Sequence, residues 1–403
     1  MKAIMYGAGN IGRGFIGALF STSGYDVSFV DVAKPVVEAL QARGSYPLRV
    51  LDGAGYEDIT ITRVSAIDGT DADAVARAIA GADVMATAVG ANILKFIAPN
   101  IANGLKLRFA QGGAPLNILI CENLMDANKV LEGMIKQHLT AAEQLWMDQS
   151  VGLVEASIGR MVPVQTEEMK AGDALRVCVE RYGFLPVDRD AFRGEIPQIR
   201  NMVPFSPFDF YIRRKLYIHN LGHATAAYLG LYTGKPLIAD AIDEPEILFL
   251  VEGAMLESAE ALSKKYGVAL PEILRHISDL LARFANRSLG DTCARVGADP
   301  VRKLAASDRL IGSARLCLEQ GVSPAYLCVG AAGAVYQYLK ENAKAQTLEQ
   351  AKAALAQLSG VVDGEALQAQ ILAYYELFAA GESLGGIRRA AQRIKAAAVG
   401  GAV

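Results

Sequence analysis

Three polar side chains in the stretch Lys215-Leu-Tyr-Ile-His-Asn220-Leu-Gly-His223 have the types and spacing to act on a hydroxyl group. On a helix, at about 100° per residue, Lys215, His223 and Asn220 fall at roughly 0°, 80° and 140°, so an amine, an imidazole and an amide share one arc. A deprotonated amine is a base, and a neutral amide donates a hydrogen bond to an oxygen that gains charge. A lysine with an ordinary pKa near 10.4 is almost wholly protonated at neutral pH, so burial or a neighbouring cation must lower it before it can serve. By itself the arc also fits a capped surface helix with Lys215 in water. His219 and His223 are spaced to ligate a metal, but no third ligand stands nearby and the Glu of H-E-x-x-H is missing; no metal site is expected.

What such a centre would act with is set by the first half of the chain. Lys2-Ala-Ile-Met-Tyr6 reads as a short buried strand, and Gly7-Ala8-Gly9-Asn10-Ile11-Gly12 follows at once and opens into a helical pattern over Arg13–Phe20. A tight turn at Gly7, close backbone approach at Gly9, close packing at Gly12 and a helix N-terminus together make a pyrophosphate cradle. The next strand, from Asp26, ends on Asp31, whose carboxylate would bond ribose hydroxyls and repel a 2′-phosphate, so NAD is expected over NADP.

The βα alternation continues through a helix near 73–80, a strand at 83–89 and another at 116–120. Ligands of open α/β sheets sit at the carboxyl ends of the strands, which places Val89, Gly90 and Asn92 on the nicotinamide side. Asn92 is equally suited to capping a helix that begins at Ile93. Glu122 and Asn123 leave the strand at 116–120 as a polar pair, either functional or capping the helix that follows. Helical spacing runs over 126–150, and strands at 151–157 and 175–180 extend the sheet. Residues 183–208 carry four prolines and are the most linker-like part of the chain; beyond them helices dominate. The fold class expected is an α/β Rossmann-type N-terminal domain with an extended sheet, residues 1–195, followed by an all-α C-terminal domain, 196–403. The tail from Lys395 has little to pack and is expected to fray.

Composition narrows the partners. The chain has 403 residues, 52% apolar and 21% charged, with a net charge of -3, which gives no electrostatic reason to expect nucleic acid or an anionic membrane. There is no long apolar span or cleavable signal, so a cytoplasmic protein is expected. Five scattered cysteines without a C-x-x-C pair argue against disulfides and thiolate zinc. The densest cationic stretch, with Arg295, Arg302, Lys303 and Arg309, reads either as a solvated helix face or as an anion site, since Arg and Lys recognise carboxylate or phosphate groups.

The assembled stretches resemble the polyol-specific long-chain dehydrogenase family, the mannitol dehydrogenases. The resemblance is carried by Gly7 through Gly17, Ala88-Val89-Gly90, Pro115 through Asn123, Arg214-Lys215-Leu216, Asn220-x-Gly222-His223-Ala224, Ala227 through Gly230, and Arg295 through Leu310. It implies an NAD- or NADP-dependent, metal-free oxidoreductase acting on a polyol phosphate or a related polyol or hexuronate, often monomeric. It also implies that Lys215 is the general base, that Asn220 and Asn123 donate to the reacting oxygen, and that His223, Arg295 and Lys303 contact substrate. Related enzymes carry Val-Asp-Arg at a strand exit where this chain has Ile158-Gly159-Arg160. A non-catalytic NAD-binding module is the alternative from another class.

Overall fold

Strand β1 (Lys2–Tyr6) is apolar at every position after Lys2 because both of its faces are covered. Ala3 and Met5 belong to one hydrophobic core and Ile4 and Tyr6 to another, as the two-residue period of a strand requires. The computed structural model describes residues 1–52, 55–124 and 126–400 and divides into two compact units, Met1–Asp209 and Phe210–Val403.

In the first unit β1 lies beside β2 (Asp26–Asp31), and the other strands in chain order are β3 (Tyr46–Asp52), β4 (Gly55–Ile61), β5 (Val64–Asp68), β6 (Val84–Thr87), β7 (Leu116–Ile120), β8 (Val151–Glu155), β9 (Val177–Glu180), β10 (Leu185–Asp188) and β11 (Met202–Phe205). Six of them form one parallel sheet in the order β5-β2-β1-β6-β7-β8. The order reverses between β1 and β6, which opens a crevice at the carboxyl ends of those strands. Only β8 of the two late strands extends this sheet. The other, β9, pairs with β3 in a separate sheet of three, built on a hairpin of β3 and β4.

The proline-rich stretch is not a bare linker. β10 and β11 pair in parallel, with Pro186 opposite Val203 and Pro204 opposite Val187. A two-stranded sheet is all edge, so a proline can lack its N–H without breaking an inner ladder. Residues 126–150 form two helices, Ala127–Lys136 and Ala141–Ser150, the second started by a capping box of Thr140 and Glu143.

The second unit is helical. Its centre is the helix Asn220–Thr233, which has buried residues on every side because the helices Pro245–Tyr266, Cys293–Gly297 and Leu327–Glu341 all pack on it. The last helix, Leu384–Gly400, is docked at Lys395, where fraying was expected; residues 401–403 of that tail lie outside the described residues. The Lys395 amine meets the Glu257 carboxylate at 3.1 Å and donates to the Ser323 carbonyl at 2.9 Å. Glu257 also accepts from the backbone N–H groups of Tyr326 and Leu327, at 3.0 Å each, and so caps the helix Leu327–Glu341. Burial pushes its carboxyl up to about 7 in spite of the lysine.

Removing Glu257 would leave a cation and two N–H groups without their partner. Glu257→Ala is expected to destabilise the protein at pH 8 by about 3–5 kcal/mol, roughly a 10 °C fall in Tm for a unit of this size, read by differential scanning calorimetry.

Candidate active site

The glycine turn after β1 has the shape a dinucleotide needs. Gly7 sits at φ +102°, and a Cβ on Gly12 would lie 1.9 Å from the Gly7 carbonyl oxygen, so neither position admits a side chain. A Cβ on Gly9 would meet nothing within 4 Å, which leaves its backbone open to approach. The chain is helical from Asn10, with Asn10 exposed and Ile11 half-buried beside it, and turns through an i→i+5 segment, Gly12–Ile16. Arg13 faces inward: its guanidinium donates to the Ala8 carbonyl at 2.7 Å and to the Leu175 carbonyl, and burial lowers its pKa.

Asp31 closes the other side of the turn. One carboxylate oxygen accepts from the Ala8 N–H at 2.6 Å and the other from the Ala33 N–H at 2.9 Å. A carboxylate has about four lone-pair positions, so two remain for ribose hydroxyls. The turn, the helix start and the acid together fit NAD.

At the neighbouring strand exits the structure decides what Glu122 does. Its carboxylate does not cap a helix but accepts from the backbone N–H groups of Val89 at 3.0 Å and Gly90 at 2.8 Å, across from β7 to the end of β6. Asn123, next in the chain, is exposed. Asn92 is exposed within a short turn, Ala91–Ile93, and the helix Leu94–Ala110 has no side-chain cap, so capping does not account for Asn92. Gly159, where the family resemblance implies an acid, lies against an aromatic ring: a Cβ there would stand 3.2 Å from Cε1 of Tyr182. A side chain at that position needs Tyr182 to move.

In the second unit the arc of Lys215, Asn220 and His223 is tighter than regular helix spacing predicts. Lys215–His219 is an i→i+5 turn between the helices Asp209–Arg214 and Asn220–Thr233, and the Asn220 N–H donates to the Lys215 carbonyl. One extra residue in the turn removes about 100° of winding, which brings Asn220 and His223 to roughly 40° and −20° from Lys215. His219 and His223 come together, ring centroids 6.1 Å apart, and His223 stacks on Phe284 at 4.9 Å and 9°. Its Nε2 lies 2.9 Å from the Asp291 carboxylate.

Electrostatics sets the state of the lysine. Burial, and after it the Arg309 guanidinium, push the Lys215 amine down to about 8. Burial also drives His219 well below its ordinary value, with Arg283, His223, Lys215 and His276 adding to it. Lys303 is 4% exposed and its amine too is pushed down to about 8, by burial first and then by Arg302 and Arg309, against the opposing pull of Asp299 and Asp308. Arg309 thus acts on both lysines. The exposed residues of the cationic stretch have carboxylate partners: Arg295 pairs with Asp291, and Arg302 donates to Asp299 at 2.8 Å.

Two family models match in tandem: the mannitol dehydrogenase Rossmann domain over residues 1–201 and the mannitol dehydrogenase C-terminal domain over residues 208–392. The chain belongs to the mannitol dehydrogenase family. It is an oxidoreductase of the polyol dehydrogenase class, and NAD is its cofactor. Two solved structures share the fold of this mannitol dehydrogenase family member at 15% identity. One is a D-sorbitol dehydrogenase in substrate-free form, with a TM-score of 0.78 over 97% of this chain and 94% of that one. The other is a Pseudomonas fluorescens mannitol 2-dehydrogenase in a ternary complex with NAD and D-mannitol, with a TM-score of 0.72 over 98% and 94%.

Within this family member the structure gives Asp291, Arg309 and Tyr217 contacts that spacing did not assign them. Asp291 stands beside His223, Arg309 bears on Lys215 and Lys303, and Tyr217, inside the i→i+5 turn, donates to the Ser307 carbonyl at 3.1 Å and ties the turn to the cationic stretch. Each is a contact between segments far apart in the chain, for which no local pattern exists. An NMR titration of labelled lysine side chains is expected to find Lys215 and Lys303 titrating near pH 8 and Arg309→Met raising both, since the substitution removes a cation that disfavours each ammonium.

Proposed function

We propose that the chain interconverts mannitol 1-phosphate and fructose 6-phosphate with NAD, as a mannitol-1-phosphate 5-dehydrogenase that uses a lysine base and no metal. The observation that carries this reading is the half-buried Lys215, its amine pushed down to about 8, on the same unit as a buried amine at Lys303. The first supports proton removal and the second supports recognition of an anion. The polyol class follows the family, and the two solved structures of the same fold, a sorbitol and a mannitol dehydrogenase, are in line with it.

In this reading the turn from Gly7 to Gly12 and the Asp31 carboxylate hold the adenosine and pyrophosphate, and Val89, Gly90 and Asn92 border the nicotinamide. Bound NAD supplies the acceptor for the hydride that leaves the carbinol carbon. Lys215, as the free amine, takes the hydroxyl proton as the carbon–oxygen bond becomes a carbonyl. Asn220 donates to the oxygen while it carries negative charge, the role the family resemblance also gives Asn123; a neutral donor stabilises the alkoxide without adding a competing proton. Asp291 keeps His223 oriented for a substrate hydroxyl. The proton then passes from Lys215 to solvent, and in the reverse direction the Lys215 ammonium returns it. Lys303, Arg302 and Arg295 select the phosphate.

A second reading, oxidation of an unphosphorylated polyol, is favoured by the carboxylate partners of Arg295 and Arg302, which leave those cations already compensated. Comparing fructose 6-phosphate with fructose as oxidant of NADH separates the two. Preference for the phosphate is expected, and Arg302→Ala is expected to reduce that preference by about tenfold, a charge-assisted contact being worth roughly 1.5–3 kcal/mol. An unchanged preference would remove Arg302 from phosphate selection.

Lys215→Ala is expected to lower kcat for polyol oxidation by at least about a thousandfold while NADH still binds, as loss of a general base does. In the unmodified protein, oxidation needs the free amine, so its rate rises with pH through about 8, and reduction, which needs the ammonium, falls through the same value. A steady-state pH profile in both directions checks the sign, and turnover near normal in Lys215→Ala would remove the lysine from the mechanism.

A further inference from the structure

We propose that Glu122 is a positioning residue for the nicotinamide end of the dinucleotide, clamping the backbone turn at Val89 and Gly90 that borders that ring. The inference rests on the NAD reading above and deepens it.

The geometry is that of a two-pronged acceptor. Glu122 leaves the sheet at the end of β7, and its two carboxylate oxygens each take one of two consecutive backbone N–H groups at the end of the adjacent strand β6, at 3.0 and 2.8 Å. The side chain is buried. Gly90 stands at φ +93°, so the turn has a conformation that other residues rarely adopt and that needs an external partner to hold its N–H in one direction. Only a carboxylate suits both donors. A glutamine of the same length offers one oxygen and one NH₂, and the NH₂ would face an N–H instead of accepting from it.

The location decides which part of the ligand benefits. In a sheet of this order the half formed by β1, β2 and β5 carries the glycine turn and Asp31 and receives the adenosine, while the half formed by β6, β7 and β8 receives the nicotinamide nucleotide. The hydrogen bonds of Glu122 go to Val89 and Gly90, whereas those of Asp31 go to Ala8 and Ala33 on the adenosine side. It also fixes the backbone one residue before Asn123, so the clamp and the amide share an anchor.

The test compares two ligands on the full chain. NADH binding is followed by nicotinamide fluorescence, and ADP-ribose, which lacks the nicotinamide, by calorimetry. Glu122→Ala is expected to weaken NADH by about tenfold or more and Glu122→Gln by less, with ADP-ribose affinity within about twofold of the parent for both. NADH affinity unchanged in both variants, or NADH and ADP-ribose weakened alike, overturns the assignment. Should the alanine variant fail to fold, the glutamine variant, which keeps the shape, decides by the same comparison. A parent protein that binds neither ligand would instead sink the dinucleotide reading and this inference with it, an outcome distinct from intact binding without discrimination.

Discussion

The hydrogen bond from the Asn220 N–H to the Lys215 carbonyl, closing a turn one residue wider than an α-helix allows, is the constraint on which the catalytic arrangement depends. Widening the turn carries Asn220 and His223 back over Lys215, while His219 and His223, four residues apart, share a face with Phe284 against both rings. A regular helix of the same sequence would spread the three polar groups over a wide arc. The wide turn is costly in isolation, and burial of Tyr217, Ile218 and His219, together with the Tyr217 bond to Ser307, holds it.

Around that turn the protein gathers cations and withholds water. Burial and the nearby Arg309 both disfavour the Lys215 ammonium, so the amine yields its proton more readily than a lysine in solvent. The same guanidinium acts on Lys303, though there Asp299 and Asp308 oppose it. A single arginine thereby acts on both the proposed base and the cationic stretch. Elsewhere in the second unit the opposite solution is used: the buried Glu257 carboxylate meets the half-buried Lys395, with two backbone N–H groups to complete the carboxylate's bonds.

Much of this was legible in residue order alone. β1, β2 and β7 are short apolar runs bounded by glycine, asparagine or acid, and the glycine turn reads directly because its chemistry is local. The hairpin of β3 and β4 was not, since β4 is exposed along most of its length and carries little apolar alternation. The wide turn at Lys215 has no sequence mark, because every residue in it is an ordinary helix former. Glu122 was visible as a polar strand exit, but its partners lie on another strand. Asp291 reads as one acid in a charged stretch until the fold sets it against His223. Local chemistry was recoverable; through-space pairing was not.

Arg13 has a consequence for ionic strength. The one arginine next to the glycine turn gives its donors to the Ala8 and Leu175 carbonyls, inside the protein. A dinucleotide arriving at that turn therefore meets backbone dipoles at close range instead of a mobile surface cation, and such short, partly buried contacts are poorly screened by dissolved ions. Arg295 and Arg302, by contrast, are exposed and already lean on carboxylates, so attraction between them and a charged substrate weakens within a Debye length as salt is added. On the proposed reading, one protein thus holds its cofactor by forces little affected by salt and an anionic substrate by forces that answer to it.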